Sequence, residues 1–549
     1  MDEATRPRIA VVGAGFSGTL LIVQLIAELT ARGISANLFL IDKTDRLNRG
    51  IAYDTEVDLH LLNVPAEDMS ALPFDRLHFY NWAAARYHGV TPSSFLSRKI
   101  YGRYLSELFQ SSIKRASGAA AGSAGVPPAS NQPGSAAVPP ASKVKVTVEV
   151  IKDTACSFDR ERNVLKLASG RELVVNRLIL ATGNLAPKTV LPASAAPLQP
   201  PQYINDPWSN EALAGLRENE DILLIGTGLT TVDLILDLYA RGHKGRITAL
   251  SRKGLLPQAH LDDRQTPASA PFVVIDPPFP ATARAMFQLV RRSCAQSEAL
   301  SRGAWRSCVN SLRPHTQSIW KAMPDPEKKR LLRHCKSIWE THRHRMAPDV
   351  AAIIASLIKK GQLEIVAARI AHIESASTHL AISIRRRRCS TEAVEAGKTP
   401  GFQAHAISGQ ALSVHTLSGQ APLGSEPPQT LTVARIINCT GPDIDLRNCQ
   451  DSFIASLIES NCVQPDPLGL GLKTAEEGVV LTRQGPSPCI SAMGALRKGH
   501  LWETTAVPEL RVQAQEIAKN VVATIVSTAN QAPIFGAPVE QMLYYGVPI

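Results

Sequence analysis

Two segments of the chain, residues 8–21 (RIAVVGAGFSGTLL) and 221–238 (DILLIGTGLTTVDLILDL), have the glycine spacing of turns that bind the phosphates of a dinucleotide. In such a turn the first glycine permits a tight bend, the second lets the backbone approach the pyrophosphate, and the third allows close packing of helix on strand. One turn of this kind is weak evidence, whereas two in one chain predict two nucleotide cofactors that face each other. The chemistry that this arrangement predicts is electron transfer between the two cofactors.

The first turn has the full sequence context of a dinucleotide-binding unit. An apolar strand, Arg8–Val12, precedes it, a segment of helical length, Thr19–Leu29, follows it, and a second strand, Ala36–Ile41, ends at Asp42. A carboxylate there accepts hydrogen bonds from the ribose hydroxyls and repels a 2′-phosphate, which fits FAD or NAD; the alternative is a chance glycine turn in an unrelated α/β unit. The residues predicted to bind this nucleotide are Gly13, Ala14, Gly15, Phe16, Ser17, Gly18 and Asp42.

The second turn differs from the first at two places. Thr231 occupies the third glycine position, and the next strand, Arg246–Leu250, is followed by Ser251, Arg252 and Lys253 instead of an acid. A hydroxyl and two cations at the ribose edge suit a 2′-phosphate, because arginine binds phosphate oxygens in a bidentate manner. This predicts NADPH rather than NADH, against the alternative that both cations are solvated. The residues predicted to bind it are Gly226, Gly228, Thr231, Ser251 and Arg252.

Two apolar strands end in a small residue followed by Thr-Gly, at residues 177–183 (RLILATG) and 435–441 (RIINCTG). Either stretch alone would be an ordinary buried strand. Because they flank the second turn, they suggest that an NADPH domain is inserted into an FAD domain. They add Thr182, Gly183 and Gly441 to the predicted cofactor contacts.

The bulk properties of the chain narrow the possible classes of function. The net charge of +11 is spread along 549 residues, and the densest basic run is residues 385–388, so we expect no nucleic-acid partner. None of the nine cysteines forms a Cys-x-x-Cys pair, which argues against zinc and against a dithiol redox centre. The odd number and irregular spacing of the cysteines favour reduced thiols in a cytoplasmic protein.

The apolar run near the N-terminus is explained by the glycine turn rather than by a secretory signal. No other apolar stretch reaches transmembrane length, so we expect a soluble protein without a membrane partner. Residues 116–142 and 402–430 are low in complexity and contain short repeats; we expect them to be disordered or flexible insertions without chemistry.

A helical block is expected at residues 281–360, and it contains the basic stretch WETHRHRM at residues 339–346. Two interpretations remain open for that stretch. It is either a basic helix facing solvent or a cationic wall of the active site, near the nicotinamide or an anionic substrate. His342 and His344 are two residues apart and would not share one helix face, so we expect no metal site there.

The expected fold is therefore α/β, with two Rossmann-like dinucleotide-binding domains and a helical insertion. The FAD domain is expected at residues 1–190 and 346–549, and the inserted NADPH domain at residues 191–345. A chain of this length has room for two or three domains.

Four further segments, residues 53–73, 97–104, 249–257 and 492–511, resemble a bacterial family of FAD- and NAD(P)-binding proteins when taken with the two glycine turns. That family includes an FAD-dependent urate hydroxylase and aspartate N-monooxygenases that make nitro compounds. The resemblance covers nearly the whole chain except the two insertions. It is more specific for the family than for the substrate.

The resemblance implies further contacts to the flavin. Asn63, Val64, Pro65 and Met69 would lie beside the isoalloxazine, and Gly494, Glu503 and Thr504 would lie on the other side of the ring. A helix expected at Glu503–Ala518 would point its N-terminal N–H groups at the pyrimidine of the flavin. Asp42 stands where glutamate is common in the family, and either carboxylate can bind ribose.

The resemblance implies an FAD-dependent, NADPH-using monooxygenase that oxygenates a small polar substrate with O₂ through a flavin C4a-(hydro)peroxide. A hydroxylated ring, an N-hydroxylated amino acid and an oxidised sulfur all remain open as products. The candidates for hydrogen bonding to the reacting centre, or for shielding it, are Asn63, Arg98, His500 and Trp502. The alternatives are a flavin reductase that passes electrons to an external acceptor, and a scaffold protein without enzymatic activity.

Overall fold

The computed structural model describes residues 6–116, 144–192, 198–261, 271–376, 379–386 and 429–531. The strands, in chain order, are β1 (Arg8–Val12), β2 (Ala36–Asp42), β3 (Val146–Lys152), β4 (Ala155–Asp159), β5 (Val164–Leu167), β6 (Glu172–Val174), β7 (Arg177–Leu180), β8 (Tyr203–Ile204), β9 (Ile222–Ile225), β10 (Ile247–Ser251), β11 (Leu363–Ser375), β12 (Leu380–Arg386), β13 (Gln429–Val433), β14 (Arg435–Asn438), β15 (Val479–Thr482) and β16 (Gly485–Ala492).

The helices, in chain order, are α1 (Phe16–Ala31), α2 (Gly50–Tyr53), α3 (His78–Ala84), α4 (Arg98–Ala116), α5 (Leu229–Ala240), α6 (Ala283–Leu300), α7 (Trp305–Ser311), α8 (Thr316–Ala322), α9 (Asp325–His334), α10 (Lys336–Arg343), α11 (Pro348–Lys359), α12 (Ser452–Glu459), α13 (Lys498–Leu501) and α14 (Val507–Gln531).

The first large sheet has the strand order β15-β16-β7-β1-β2-β3, in which all neighbours are parallel except β15 and β16. The central strand β1 is fully buried from Ile9 to Val11, because a parallel strand covered on both faces is apolar throughout. Helix α1 packs on this sheet between α4 and α14. The first glycine turn therefore lies at the carboxyl edge of the sheet, between its central strand and its central helix.

The second large sheet has the order β13-β12-β11-β10-β9-β14-β8. Its centre, formed by β11, β10, β9, β14 and β8, is parallel, and β12 and β13 add an antiparallel edge. Helix α5 follows β9 as α1 follows β1. The two sheets, each with a glycine turn at the end of a central strand, confirm the expected α/β class with two Rossmann-like units.

The strand pairing differs from the domain division drawn from the sequence. The strands from Leu363 to Asn438 belong to the second sheet, whereas the sequence assigned residues 346–549 to the FAD domain. The chain returns to the first sheet only at β15 and β16. The sequence also suggested that β14 is a crossing between the two domains, whereas β14 pairs with β9 and β8 inside the second sheet.

Two element boundaries also differ from expectation. Helix α1 begins at Phe16 rather than Thr19, directly inside the glycine turn. The C-terminal helix α14 begins at Val507 rather than Glu503, and Pro508 and Glu509 occupy its first turn, as favoured at a helix start. The predicted low-complexity insertions lie mainly outside the described residues, except that Ala116 ends α4 and residues 429–430 begin β13.

Candidate functional site

The first glycine turn is fixed by its own backbone. Gly13 has φ +108°, and a Cβ there would lie 2.2 Å from the carbonyl oxygen of Ala181, while a Cβ at Gly18 would lie 1.8 Å from the Gly13 oxygen. Helix α1 follows with Gly15 as its N-cap and no side chain capping it. The first N–H groups of α1 are therefore available to an anion, together with the positive end of the helix dipole.

Asp42, at the end of β2, is oriented by the same turn. One carboxylate oxygen accepts the backbone N–H of Ala14 at 2.6 Å, and the other accepts the backbone N–H and the hydroxyl of Thr44, each at 2.8 Å. The carboxylate is thus held beside the glycine turn. This places the predicted ribose ligand at the edge where the predicted phosphate ligands lie.

The second glycine turn repeats this construction with one instructive difference. Gly226 has φ +126°, and a Cβ there would lie 2.4 Å from the carbonyl oxygen of Cys439. Gly228 is the N-cap of α5 and has no capping side chain. A Cβ at this residue would meet no described atom within 4 Å. Packing within the described chain therefore does not require glycine at residue 228. The open space in front of it suits the close approach of a phosphate.

The third glycine position of this turn is the buried Thr231. Its hydroxyl is buried and has no hydrogen-bond partner among the described residues. It lies near the thiol of Cys439, whose pKa is raised to about 12, mainly by burial. A protonated, buried thiol of this kind packs as a small apolar side chain. Thr231 therefore packs between α5 and the end of β14, where a glycine would allow a closer contact.

The three polar residues at the end of β10 have different environments. The Ser251 hydroxyl accepts hydrogen bonds from the Thr227 hydroxyl and the Gly254 N–H, both at 2.9 Å. Lys253 donates to the backbone carbonyl of His334 at 3.1 Å. Arg252 is exposed. Of the two predicted cations, Arg252 is thus the one whose side chain is best placed for a ligand in solvent.

The two Thr-Gly turns each pack beside one glycine turn. Thr182 and Gly183 follow β7, and Gly183 has φ +71°; Gly441 follows β14 and has φ +85°. The hydroxyl of Thr182 is buried and finds no hydrogen-bond partner among the described residues. A buried hydroxyl without a partner is costly, so this atom suits contact with a bound group.

The segment predicted to face the flavin lies against the second dinucleotide unit. His60 donates from Nε2 to the backbone carbonyl of Asp233 in α5 at 2.9 Å. His260, which follows β10, donates from Nε2 to the backbone carbonyl of Asn63 at 3.0 Å. Two elements of the second unit therefore hold the chain on either side of Leu62. The neighbouring Met69 is buried in the core beneath this segment.

Arg98 does not point freely into the site. Its guanidinium forms a bidentate ion pair with Asp233, with distances of 2.7 and 3.0 Å, and its Nε donates to the carbonyl of Leu61. The two side chains are only 15% and 8% exposed. Its side chain therefore joins α4 to α5, and the contact with the reacting centre that the sequence suggested for Arg98 stays a prediction.

The C-terminal segment closes over the first glycine turn. A Cβ at Gly494 would lie 3.2 Å from the Ser17 hydroxyl oxygen. The buried Gln513 accepts the N–H of Gly494 and donates to both oxygens of Thr504, and the Thr504 hydroxyl donates to the Gly494 carbonyl. Gln513 was missed by sequence reasoning. It brings together two of the predicted flavin contacts.

Trp502 and Glu503 contact the helical block rather than a helix N-terminus. The Trp502 ring stacks on Trp320, with centroids 4.8 Å apart and an angle of 22° between the planes. The Glu503 carboxylate accepts hydrogen bonds from Trp339 at 3.1 Å and Arg343 at 3.2 Å. The sequence did not reveal these contacts, because each partner lies more than a hundred residues away.

His500 also contacts a residue outside the predicted flavin segment. Its Nε2 lies 3.3 Å from a carboxylate oxygen of Glu476. Burial is the main reason that the pKa of His500 is lowered. The catalytic roles proposed from the sequence for His500 and Trp502 stay predictions, and both side chains lie between the C-terminal segment and the helical block.

The basic stretch at residues 339–346 is not a solvent-facing helix. Arg345 is 2% exposed, and the Arg343 side chain is 9% exposed. The histidines of the described stretch lie with these arginines, and burial together with Arg343 lowers the pKa of His344 to about 3. Among the described residues, no group of three or more His, Cys, Asp and Glu side chains is arranged to hold a metal ion.

Residues 10–122 match the family model described as FAD-NAD(P)-binding. The fold is similar to that of reduced ornithine hydroxylase from Pseudomonas aeruginosa, with a TM-score of 0.56 and 14% identity over 95% of this chain and 100% of that one. A cadaverine monooxygenase from Erwinia amylovora, bound to FAD, matches with a TM-score of 0.53 and 11% identity over 99% of each chain. The chain has the fold of these hydroxylases.

An ornithine N-hydroxylase from Kutzneria sp. 744, solved with reduced FAD, NADP⁺ and L-ornithine, matches with a TM-score of 0.50 and 11% identity over 95% of this chain and 100% of that one. At such identities the likeness establishes the fold. No curated protein matches the chain significantly. No helix within the described ranges has the length and apolar character needed to cross a membrane.

Proposed function

We propose that this protein is an FAD-dependent, NADPH-using monooxygenase that oxygenates a small polar substrate with O₂. The observation that carries the proposal is the pair of uncapped helix N-termini, at Gly15 and Gly228, each at the end of a central parallel strand. Each offers N–H groups and a positive dipole end to one dinucleotide. The segment around Asn63 is held by hydrogen bonds with the second unit.

The first unit holds FAD. Its glycine turn and α1 bind the pyrophosphate, Asp42 binds the ribose, and the segment Asn63–Pro65 lies beside the ring system. Gly494 and Thr504, joined through Gln513, approach the same glycine turn from the C-terminal side. The buried Thr182 hydroxyl without a described partner suits contact with the bound cofactor.

The second unit holds NADPH. The open space at Gly228 admits the pyrophosphate, and the exposed Arg252 binds the 2′-phosphate beside Ser251. Because an arginine can form two charge-assisted hydrogen bonds with a phosphate, this edge favours NADPH over NADH. The NADPH unit spans β8 to β14 and carries the helical block.

Bound FAD supplies the chemistry of accepting a hydride from NADPH and activating O₂, and the protein supplies position and exclusion of water. The ion pair of Arg98 and Asp233 fixes the second helix against the segment near Asn63. The stacked rings of Trp320 and Trp502 join the helical block to the C-terminal segment. Three solved structures with this fold support hydroxylation rather than simple electron transfer. Two are named as ornithine hydroxylases and one as a cadaverine monooxygenase.

The expected partners are therefore a small-molecule substrate and O₂, in a cytoplasmic protein. The test is a stopped-flow experiment on the purified flavoprotein, reduced by NADPH without oxygen and then mixed with aerated buffer. A transient absorbance band distinct from those of reduced and oxidised flavin supports the proposal. Direct return to oxidised flavin, with and without a panel of small polar substrates, together with anaerobic reduction of an artificial dye, would replace it with a reductase.

A further inference from the structure

A group of arginine side chains lies next to the segment that contains Asn63. His260 donates to the Asn63 carbonyl, and the backbone around His260 pairs with Met346 through hydrogen bonds of 2.8 and 2.7 Å. This pairing holds Arg345, the residue before Met346, close to His260. The charge of Arg345 accordingly acts on the His260 ring.

Arg345 is buried without a carboxylate partner among the described residues. Its Nη2 donates to the Asn310 side-chain oxygen at 2.7 Å and its Nη1 to the His342 carbonyl at 3.4 Å, while Nε has no partner within the described chain. Both acceptors are neutral. The side chain is 2% exposed, and the nearby charges that act on it, those of Arg306 and Arg343, are positive. A buried cation surrounded in this way costs free energy unless an anion joins it.

Arg306 provides a second cation at the same place. Its Nε donates to the Ala259 carbonyl at 2.8 Å, and its guanidinium lies 4.5 Å from the centroid of the Trp305 ring. The Arg345 guanidinium lies 5.9 Å from the same ring. Two cations therefore converge on one indole. Arg306 keeps part of its surface exposed, so the group is open on that side.

Arg343 differs from Arg345 because it has a carboxylate partner. It pairs with the Glu503 carboxylate at 3.1 Å. The negative charge of Glu298 acts on Arg306 and raises its pKa, whereas burial, the larger effect, lowers that pKa to about 10. Burial and neighbouring positive charges lower the pKa of Arg345 to about 9 and that of His260 to about 3. At neutral pH Arg345 is thus charged and His260 is neutral, so the charge of Arg345 has no compensating carboxylate among the described residues.

We propose that Arg345 and Arg306 bind the carboxylate of the substrate, so that the substrate class is a small organic acid. The site rests on the proposed function, because it places the carboxylate beside the segment that faces the flavin. A phosphate of NADPH is the other possible anion. Arg252, at the end of β10, already provides a cation for that phosphate.

The test uses the FAD-loaded protein and sodium succinate as the probe, with sodium chloride of equal ionic strength and neutral succinamide as references. Succinate is expected to raise the thermal unfolding temperature by about 2 °C or more over both references. The increase is expected to be lost in Arg345→Gln and in Arg306→Gln. It is expected to persist in Arg333→Gln, which changes an exposed arginine of the same helical block.

The inference is overturned if succinate stabilises no more than chloride does, or if it stabilises the Arg345→Gln and Arg306→Gln variants as much as the unchanged protein. Thermal stabilisation by NADP⁺ is measured separately. If the two variants are no longer stabilised by NADP⁺ but are still stabilised by succinate, the arginines bind a cofactor phosphate instead. Anaerobic reduction of the flavin by NADPH in the unchanged protein tests the proposed function independently. If NADPH does not reduce the flavin, the proposed function fails, and the succinate experiment still decides whether the two arginines bind an anion.

Discussion

Replacing Asp233 by Asn tests whether the ion pair with Arg98 fixes the two dinucleotide units against each other. The pair is bidentate and its side chains are 15% and 8% exposed, so the change leaves a buried guanidinium without its counter-charge. Removing one member of such a pair costs about 3–5 kcal/mol. Because Arg98 keeps its hydrogen bond to the Leu61 carbonyl, we expect the lower end, about 3 kcal/mol.

The matched control is Asp237→Asn, one turn further along the same helix. Asp237 pairs with Arg241, whose side chain is 59% exposed, and an exposed i,i+4 pair contributes about 0.3–0.5 kcal/mol. The double variant Arg98→Met with Asp233→Leu should recover most of the lost stability, since a buried ion pair is often replaced by apolar residues without net cost. Urea unfolding of the FAD-loaded proteins, followed by tryptophan fluorescence, measures all three changes.

The same variant should slow reduction of the flavin by NADPH. If about 1.4 kcal/mol of the lost interaction is felt in the hydride-transfer transition state, the anaerobic reduction rate falls tenfold while FAD content stays unchanged. A stability loss in Asp233→Asn below about 1 kcal/mol, the level of a surface pair, would show that the pair is solvated and would refute the reasoning. Equal losses in Asp233→Asn and Asp237→Asn would refute it as well.

Four further changes test the proposed nucleotide sites. Gly226→Ala should destabilise the protein by about 2 kcal/mol or more, because φ is +126° and the new Cβ would lie 2.4 Å from a backbone oxygen. Gly228→Ala should change unfolding by less than about 1 kcal/mol yet raise the KM for NADPH about tenfold; a large stability loss would contradict the open space there. Arg252→Ala should raise the KM for NADPH about tenfold and leave that for NADH unchanged, and an equal effect on both would exclude contact with the 2′-phosphate. Gln513→Leu should weaken FAD retention, measured as the flavin released on dilution, because Gly494 loses its hydrogen bond to that side chain; unchanged retention would remove Gln513 from the site.

The parts of the fold that sequence could predict are those specified by local backbone chemistry. Gly13 and Gly226 both adopt a positive φ that only glycine tolerates well, and each turn follows an apolar strand. Pro508 and Glu509 are also typical of the first turn of a helix and indicate the start of α14, although the helix was expected to begin at Glu503. Local signals of this kind can be read without knowing what packs against them.

The parts that sequence could not predict depend on partners far along the chain. Arg98 looked like a free cation near the reacting centre, yet its partner Asp233 lies 135 residues away. An acid within the apolar helix α5 was the available clue, because such a residue is buried only when it is paired. The partners of Glu503 and the position of β14 were hidden for the same reason: side-chain pairing and strand order are properties of the assembled fold.

The segment around Asn63 is held by the second unit at two places, and this has a consequence for how the enzyme moves. Asp233 accepts a hydrogen bond from His60 and pairs with Arg98, while His260 reaches the Asn63 carbonyl from the loop after β10. A rotation that separated the two units would have to break this ion pair and both histidine hydrogen bonds together, and this disfavours the rotated state. The positions of the two nucleotides are therefore set by the chain itself. Substrate entry and product release must then use motions of the helical block or of surface loops rather than opening between the two sheets.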